Sequence, residues 1–217
     1  MPYVGNDIVD LTDSGARGKS QNIRFVNRVF IPDEQKQIFN SSHPDIVLWA
    51  LWAGKETAYK IISKSIPGVP FLPLLYKVSC VESFGKTEGF SVENHCIPGI
   101  VGTPWGKVNS SIFIACDYVH CIGIVSFSGG IDSVVWKVDI CPSVSQVVPG
   151  GESSFLREAI KKHLSVFLHH APEEIEIRRS EGMSGPPFVY LKGEPAGVDI
   201  SLSHDGQFTA YAFISGG

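Results

Sequence analysis

Two stretches of this chain, Ser111 to Val125 and Ile200 to Ile214, run through the same succession of apolar and polar residues about a turn, each downstream of an amphipathic helix pattern. The helices echo one another as Lys55-Glu56-Thr-Ala-Tyr-Lys60 and Arg157-Glu158-Ala-Ile-Lys-Lys162. Between helix and hairpin, each half carries an alternating segment, Tyr76 to Val92 and Ile175 to Leu191. Period-two alternation marks strands, recurrence at i and i+4 marks helices, and a unit that recurs within one chain indicates duplication. Aligning the hairpins by apolar positions pairs Phe113 with Leu202, Val119 with Phe208, Cys121 with Ala210 and Val125 with Ile214. The expected fold is α+β: a pseudo-dimer of two α/β repeats, each a helix packed on a small antiparallel sheet. The first repeat is set at residues 1–128 and the second at 129–217, with the junction in Ser126 to Ile131, where Gly129-Gly130 punctuates the strands.

Composition narrows the function classes. A chain of 217 residues with 43% hydrophobic and 18% charged residues has globular values and enough length for a good core. A net charge of −4 implies no sequence-independent affinity for nucleic acid or anionic membrane. Met1 is followed almost at once by a strand-like run rather than a basic and apolar leader, and no apolar run approaches a bilayer span. Five cysteines (Cys80, Cys96, Cys116, Cys121, Cys141), an odd number with no Cys-x-x-Cys spacing, read as reduced and structural, without a zinc site. The expected location is cytoplasmic.

Three segments carry chemistry. In Trp52-Ala-Gly-Lys55-Glu56-Thr-Ala-Tyr-Lys60, an ammonium and a carboxylate lie four residues apart in an otherwise apolar helix, on one face. By itself this is an ion pair that stabilises a helix by a few tenths of a kcal/mol. In Val4-Gly5-Asn6-Asp7-Ile8-Val9, Asp7 sits in a short apolar strand, where a partly buried carboxylate needs a charged partner or a metal. In Asp199-Ile-Ser-Leu-Ser203-His204-Asp205-Gly206, a strand runs into a tight turn with Asp-Gly as its signal, and Phe208 to Ile214 returns.

Together these segments resemble the 4′-phosphopantetheinyl transferases, in which a Gly-x-Asp strand, a Trp-x-x-Lys-Glu-x-x-x-Lys helix and a Ser-x-Ser-His hairpin make one active site. Arg24-Phe-Val-Asn-Arg28 with the following Pro-Asp-Glu34, and Gly185-Pro-Pro187-Phe-Val, match further segments. The motif order is that of the single-repeat, holo-acyl-carrier-protein-synthase-like members, whereas the length is that of the fused two-repeat members. The resemblance implies transfer of phosphopantetheine from coenzyme A to a serine of an acidic acyl or peptidyl carrier protein, with release of 3′,5′-ADP. Such carriers serve fatty-acid, polyketide and nonribosomal-peptide assembly. It implies Mg²⁺ on Asp7 and Glu56, and Lys60 near the leaving phosphate. Ser203, His204 and Arg179 (or Arg178) would lie on coenzyme A phosphates. Glu56 or a metal-bound water is then the base. Where fused members have a further acidic residue, this chain has Val9, and where they have a lysine before the proline it has Pro186. Arg24 and Arg28, if helical, share a face suited to carrier docking. One site is expected at the junction of the halves in a monomer. A second, with Ala115 in the place of His204, is expected to be dead.

Ser128-Gly-Gly-Ile-Asp-Ser133 resembles the phosphate loop of ATP pyrophosphatases, which would make the protein an adenylating enzyme. That loop works at a helix N-terminus, whereas Val134-Val-Trp-Lys-Val-Asp-Ile reads as a strand. Gly102-Thr-Pro-Trp-Gly-Lys107 is one residue short of a Walker loop. A third reading is a catalytically silent module that binds a carrier protein or coenzyme A.

Overall fold

The computed structural model describes residues 2–80, 95–125, 130–141, 151–179 and 185–216. The first half contains β1 (Tyr3–Asp10), α1 (Ile23–Val29), α2 (Pro32–Phe39), α3 (Pro44–Ser65), β2 (Lys77–Cys80), β3 (His95–Thr103), β4 (Gly106–Ile114) and β5 (Tyr118–Val125). The second contains β6 (Val135–Ile140), α4 (Gly151–Leu168), β7 (Ile175–Arg179), β8 (Pro187–Leu191), β9 (Glu194–Asp205) and β10 (Phe208–Ser215). The strands form two five-stranded antiparallel sheets, ordered β1-β5-β4-β3-β2 and β6-β10-β9-β8-β7. Each half is a strand, a long helix and four more strands, wound in the same order. The fold is the expected α+β pair of repeats, with α1 and α2 added to the first. The division placed at 128/129 lies outside the described residues.

Helix α3 carries Pro44 in its first turn, where a missing N–H is tolerated. Nearby Asp45 accepts backbone hydrogen bonds from Gly18 (2.6 Å) and Ser20 (2.8 Å), tying down the preceding loop. Its apolar face, including Leu48, Leu51, Ala58 and Ile61, is buried against the first sheet. The approach is closest where Gly5 of β1 pairs with Gly123 of β5. A Cβ on Gly5 would lie 2.4 Å from the Thr57 carbonyl oxygen, and one on Gly123 would lie 2.8 Å from Thr57 Cγ2. The two glycines let the middle of α3 sit directly on β1.

β1 is the free edge of its sheet, and an exposed edge is a pairing hazard. Here β9 of the other repeat finishes it with side chains. The amides of Val4, Asn6, Ile8 and Asp10 donate to Asp199 Oδ2 (2.7 Å), Ser201 Oγ (2.9 Å), Ser203 Oγ (3.2 Å) and Asp205 Oδ2 (2.8 Å). The constant offset of 195 residues means that β1 and β9 run parallel. The carbonyls on that edge are taken by α3: Lys64 Nζ donates to Val4 O (2.7 Å) and Lys60 Nζ to Asn6 O (2.8 Å).

The rest of the seam sets residues against their own counterparts. The counterparts Val4 and Val134, Ile122 and Ala212, and Ile124 and Ile214 share one cluster, and Ile8 and Val138 share another. Tyr118 and Phe208 meet with ring centroids 5.0 Å apart. The hairpins share one register, with Ile114 opposite Val119 and His204 opposite Thr209. This corrects the sequence alignment by one residue: Cys121 faces α3 and matches Tyr211, which faces α4. Phe113 is therefore the counterpart of Ser203, Ile114 that of His204, and Ala115 that of Asp205. A one-residue slip exchanges the two faces of a strand.

The turn also differs from expectation. Asp205 pairs with Phe208 as the last residue of β9, because its carboxylate holds the Asp10 amide. The two turn residues are Gly206, with φ of 52°, and Gln207.

Candidate active site

Strand alternation turns Asp7 toward α3, one turn of which carries Glu56 and Lys60. The bland ion pair between those two is not what forms. Lys60 Nζ donates to Asp7 Oδ1 at 2.8 Å, and Ser203 Oγ donates to the same oxygen at 3.0 Å. Asp7 is thus held by one group from its own repeat and one from the other. Glu56 is left beside it as a second carboxylate. Burial, then the Asp7 charge, push the Glu56 carboxyl up from 4.5 to about 7, against the pull of Lys60. A like charge nearby disfavours ionisation.

Beneath this cluster Asn6 and His120 are fully buried, with Asn6 Nδ2 3.3 Å from His120 Nε2. Burial, and secondarily the Lys60 charge, push His120 down to about 3, so it stays neutral. Asp10 does not join the carboxylates. It accepts from Thr12 Oγ1 (2.6 Å), Thr12 N (2.7 Å) and Gln207 N (3.0 Å). Burial raises its carboxyl, but these hydrogen bonds outweigh burial and hold it below the usual range. Val9 is buried in the first core.

One turn after Lys60, Lys64 is 5% exposed and donates to Asp199 Oδ2 and Ile200 O, each at 2.7 Å. Burial pushes its ammonium down while Asp199 pulls it up. This ion pair joins α3 to β9 and went unread in the sequence. Its signal was present: Lys64 follows Lys60 by one turn, and Asp199, Ser201, Ser203 and Asp205 put polar groups at every second position of an apolar hairpin. Lys55, adjacent to Glu56, points elsewhere. It is fully buried and donates to Glu34 Oε1 (2.9 Å) and to the carbonyls of Pro73 (3.1 Å) and Tyr76 (2.5 Å). It anchors α2 and the loop before β2 to α3.

A cleft of about 840 Å³ opens between α3 and the second sheet, lined by Lys60, Ser63, Arg179, Pro186, Phe188 and Ser201 among others. Lys60 belongs to both the cleft and the Asp7 cluster. Arg179 lines the cleft, whereas Arg178 pairs with Glu176 and lies over the Tyr190 ring, 4.9 Å from its centroid. His204 is exposed near the end of β9 and points to the opposite face from Ser203. The structure brings Asp7, Glu56, Lys60 and Ser203 together and puts Arg179 in the cleft; it does not bring His204 to that cluster.

Residues 3–84 match the model of the 4′-phosphopantetheinyl transferase superfamily. The match lies within the first repeat. The matched span contains Asp7, Glu56 and Lys60, and the motif resemblance extends into the second half. No curated protein matches the chain in sequence. Among solved structures, the chain aligns over 90% of its length with 86% of a chain in the crystal structure of Thermotoga maritima holo-[acyl-carrier-protein] synthase, at 15% identity and a TM-score of 0.35. A likeness of that size carries no argument about fold or site.

The other loops have local explanations. Of the stretch resembling an ATP-binding loop, residues 128 and 129 lie outside the described residues, and Ile131–Ser133 form a 3-10 turn that leads into β6. No α-helix follows to offer its N-terminus. The near-Walker stretch is the β3–β4 hairpin. Among the described residues, no helix is long and apolar enough to cross a membrane.

Proposed function

We propose that the protein transfers 4′-phosphopantetheine from coenzyme A to a serine of an apo acyl or peptidyl carrier protein, releasing 3′,5′-ADP. The observation that carries this reading is the Asp7–Lys60–Ser203 cluster, with Glu56 beside it, at the edge of a cleft containing Arg179. Asp7 and Glu56 are hard oxygen donors held close enough to repel. They fit Mg²⁺, which takes one or two carboxylates with substrate phosphates and waters. When bound, the ion neutralises pyrophosphate charge.

The chain's own groups supply the rest. Arg179 and Lys60 hold the pyrophosphate from two sides of the cleft. Ser203 and Lys60 fix the Asp7 carboxylate. The serine hydroxyl oxygen forms a bond to the phosphorus that carries pantetheine, and the bond from that phosphorus to the bridging oxygen breaks. The serine proton goes to a Glu56 carboxylate oxygen that the ion leaves free. Lys60 stabilises the charge developing on the departing 3′,5′-ADP. His204, exposed at the end of β9, is assigned to the rim of the coenzyme A site. Arg24 and Arg28 are both exposed on α1 and are assigned to the approach of an acidic carrier. Each chain, on this reading, contains one complete site and works as a monomer.

The test is to incubate the protein with coenzyme A, Mg²⁺ and an apo carrier protein. A phosphopantetheine mass gain on the carrier serine, with equimolar 3′,5′-ADP, is the expected result. An unmodified carrier across a panel of fatty-acid, polyketide and peptide types would sink the reading, and pyrophosphate release from ATP would replace it with adenylation.

A further inference from the structure

The cleft has two chemically different ends. At α3 it is polar and cationic, with Lys60 and Ser63; at β8 it has an apolar wall of Pro186, Pro187 and Phe188, with Arg179 of β7 paired to Pro187 beside it. Phe188 is 46% exposed although the next residue, Val189, is 4% exposed in the second core. An aromatic ring left half in water on a cleft wall is apolar surface that a ligand can cover. The position is fixed by the sheet: Phe188 pairs with Asp199, and Asp199 holds Lys64, one turn along α3 from Lys60. A line therefore runs from the Asp7 cluster through the two lysines to the ring.

A ligand that fits this cleft has anionic groups for Lys60 and Arg179 and a flat, apolar face to cover the ring. We infer that Phe188 is the stacking platform for the purine base of the donor nucleotide, which makes it the residue that tells an adenine nucleotide from a bare phosphoester. This rests on the transferase reading and deepens it, since that reading supplies the nucleotide. Stacking on one aromatic side chain changes affinity by on the order of ten- to a hundred-fold. It discriminates through shape and π-surface rather than through a hydrogen-bond pattern.

The test uses calorimetric binding of two probes, 3′,5′-ADP and its base-free analogue ribose 3,5-bisphosphate, to the wild type, Phe188→Ala and Phe188→Trp. The wild type is expected to prefer 3′,5′-ADP. Phe188→Ala should weaken 3′,5′-ADP on the order of ten-fold or more, leave ribose 3,5-bisphosphate unchanged, and show an unchanged melting temperature because the ring is exposed. Phe188→Trp should restore the preference. A Phe188→Ala protein that keeps the wild-type preference, or loses both probes equally, overturns the inference while leaving transfer intact. A wild type that binds neither probe and modifies no carrier brings down the transferase reading itself.

Discussion

The chain presents two places where matching elements face each other: the β1 edge along β9, and β6 with β4, which meet at Trp136 and Phe113. At the first, the side chains reaching the edge are Asp199, Ser201, Ser203 and Asp205, and all four accept an amide hydrogen bond. At the second, the matching positions are Asn109, Ser111, Phe113 and Ala115. There Phe113 packs on Trp136 with ring centroids 4.5 Å apart, where its counterpart at the first junction, Ser203, bonds the Ile8 amide and the Asp7 carboxylate. The counterpart of Asp7 is Lys137, which pairs with its own neighbour Asp139 at 2.7 Å. Glu158, the match of Glu56, has a side chain 64% exposed and lies 3.6 Å from Lys161. The halves teach that the scaffold alone confers no chemistry. A carboxylate buried beside another has its carboxyl raised to about 7, and the matching carboxylate on α4 is a solvated surface group.

The largest effect should come from comparing the two glutamates. Glu56→Gln and Asp7→Asn should each lower transfer by on the order of 10²–10³-fold or more, since each removes charge from where the pyrophosphate is neutralised. Glu158→Gln should stay within about two- to three-fold, as expected of a surface change. Initial rates of carrier modification in saturating coenzyme A decide it. A Glu56→Gln protein with near wild-type turnover in Mg²⁺ would remove Glu56 from the site and erase the contrast.

A second contrast concerns stability. Lys64 and Asp199 are buried partners, whereas the position matching Lys64 on α4 is Val166, 72% exposed. Lys64→Met leaves the Asp199 carboxylate buried without its cation and should cost roughly 3–5 kcal/mol in urea unfolding. Val166→Lys should shift stability by no more than about 0.5 kcal/mol. Equal effects from the two would mean that the ladder does not weld the repeats.

How far the sequence could be read follows from the same contrast. Helix and strand periods exposed the duplication, because each half has one long helix and alternating strands. The register between halves came out one residue off for a physical reason. β5 and β10 are buried on both faces, so their apolar runs lack a clean polar side to fix the phase. Asp7, Glu56, Lys60 and Ser203 were legible because motif spacing reports them. The partnerships of Lys64 with Asp199, Lys55 with Glu34 and Asn6 with His120 were not: the two lysines meet theirs only through the packing of α3, and Asn6 meets His120 only through the pairing of β1 with β5.

Smaller effects should appear in the pH dependence of stability. The folded-state Glu56 carboxyl is raised from 4.5 to about 7, so the folded protein holds that proton more tightly than the unfolded chain. Its contribution is fully present below about 4.5 and is lost as pH rises through about 7. In chelator, the wild type should therefore melt lower at pH 8 than Glu56→Gln, which cannot ionise, by roughly 2–4 °C for each kcal/mol involved. The gap should close near pH 4.5. Adding Mg²⁺ at pH 8 should raise the wild-type Tm and leave Glu56→Gln nearly unmoved. Glu158→Gln should show no such pattern. If Mg²⁺ stabilises Glu56→Gln as much as the wild type, the two carboxylates are not its site.

The smallest expected effect is none at all. If the complete site lies where β1 and α3 of one repeat meet β9 of the other in a single chain, two inactive variants cannot repair one another. One variant carries Glu56→Gln; the other carries Arg179→Ala and His204→Ala, both changes in the second repeat. Each should be inactive alone. In an assembly that shares sites between chains, mixing after mild dissociation would create some junctions with an intact Glu56 repeat against an intact Arg179 repeat, and transfer would return in proportion to mixing. Within one chain, the ladder from Val4–Asp199 to Asp10–Asp205 commits each β1 to its own β9, so every molecule keeps its own defect. The mixture should modify no more carrier than either variant alone, and recovered transfer would show that the functional junction forms between chains.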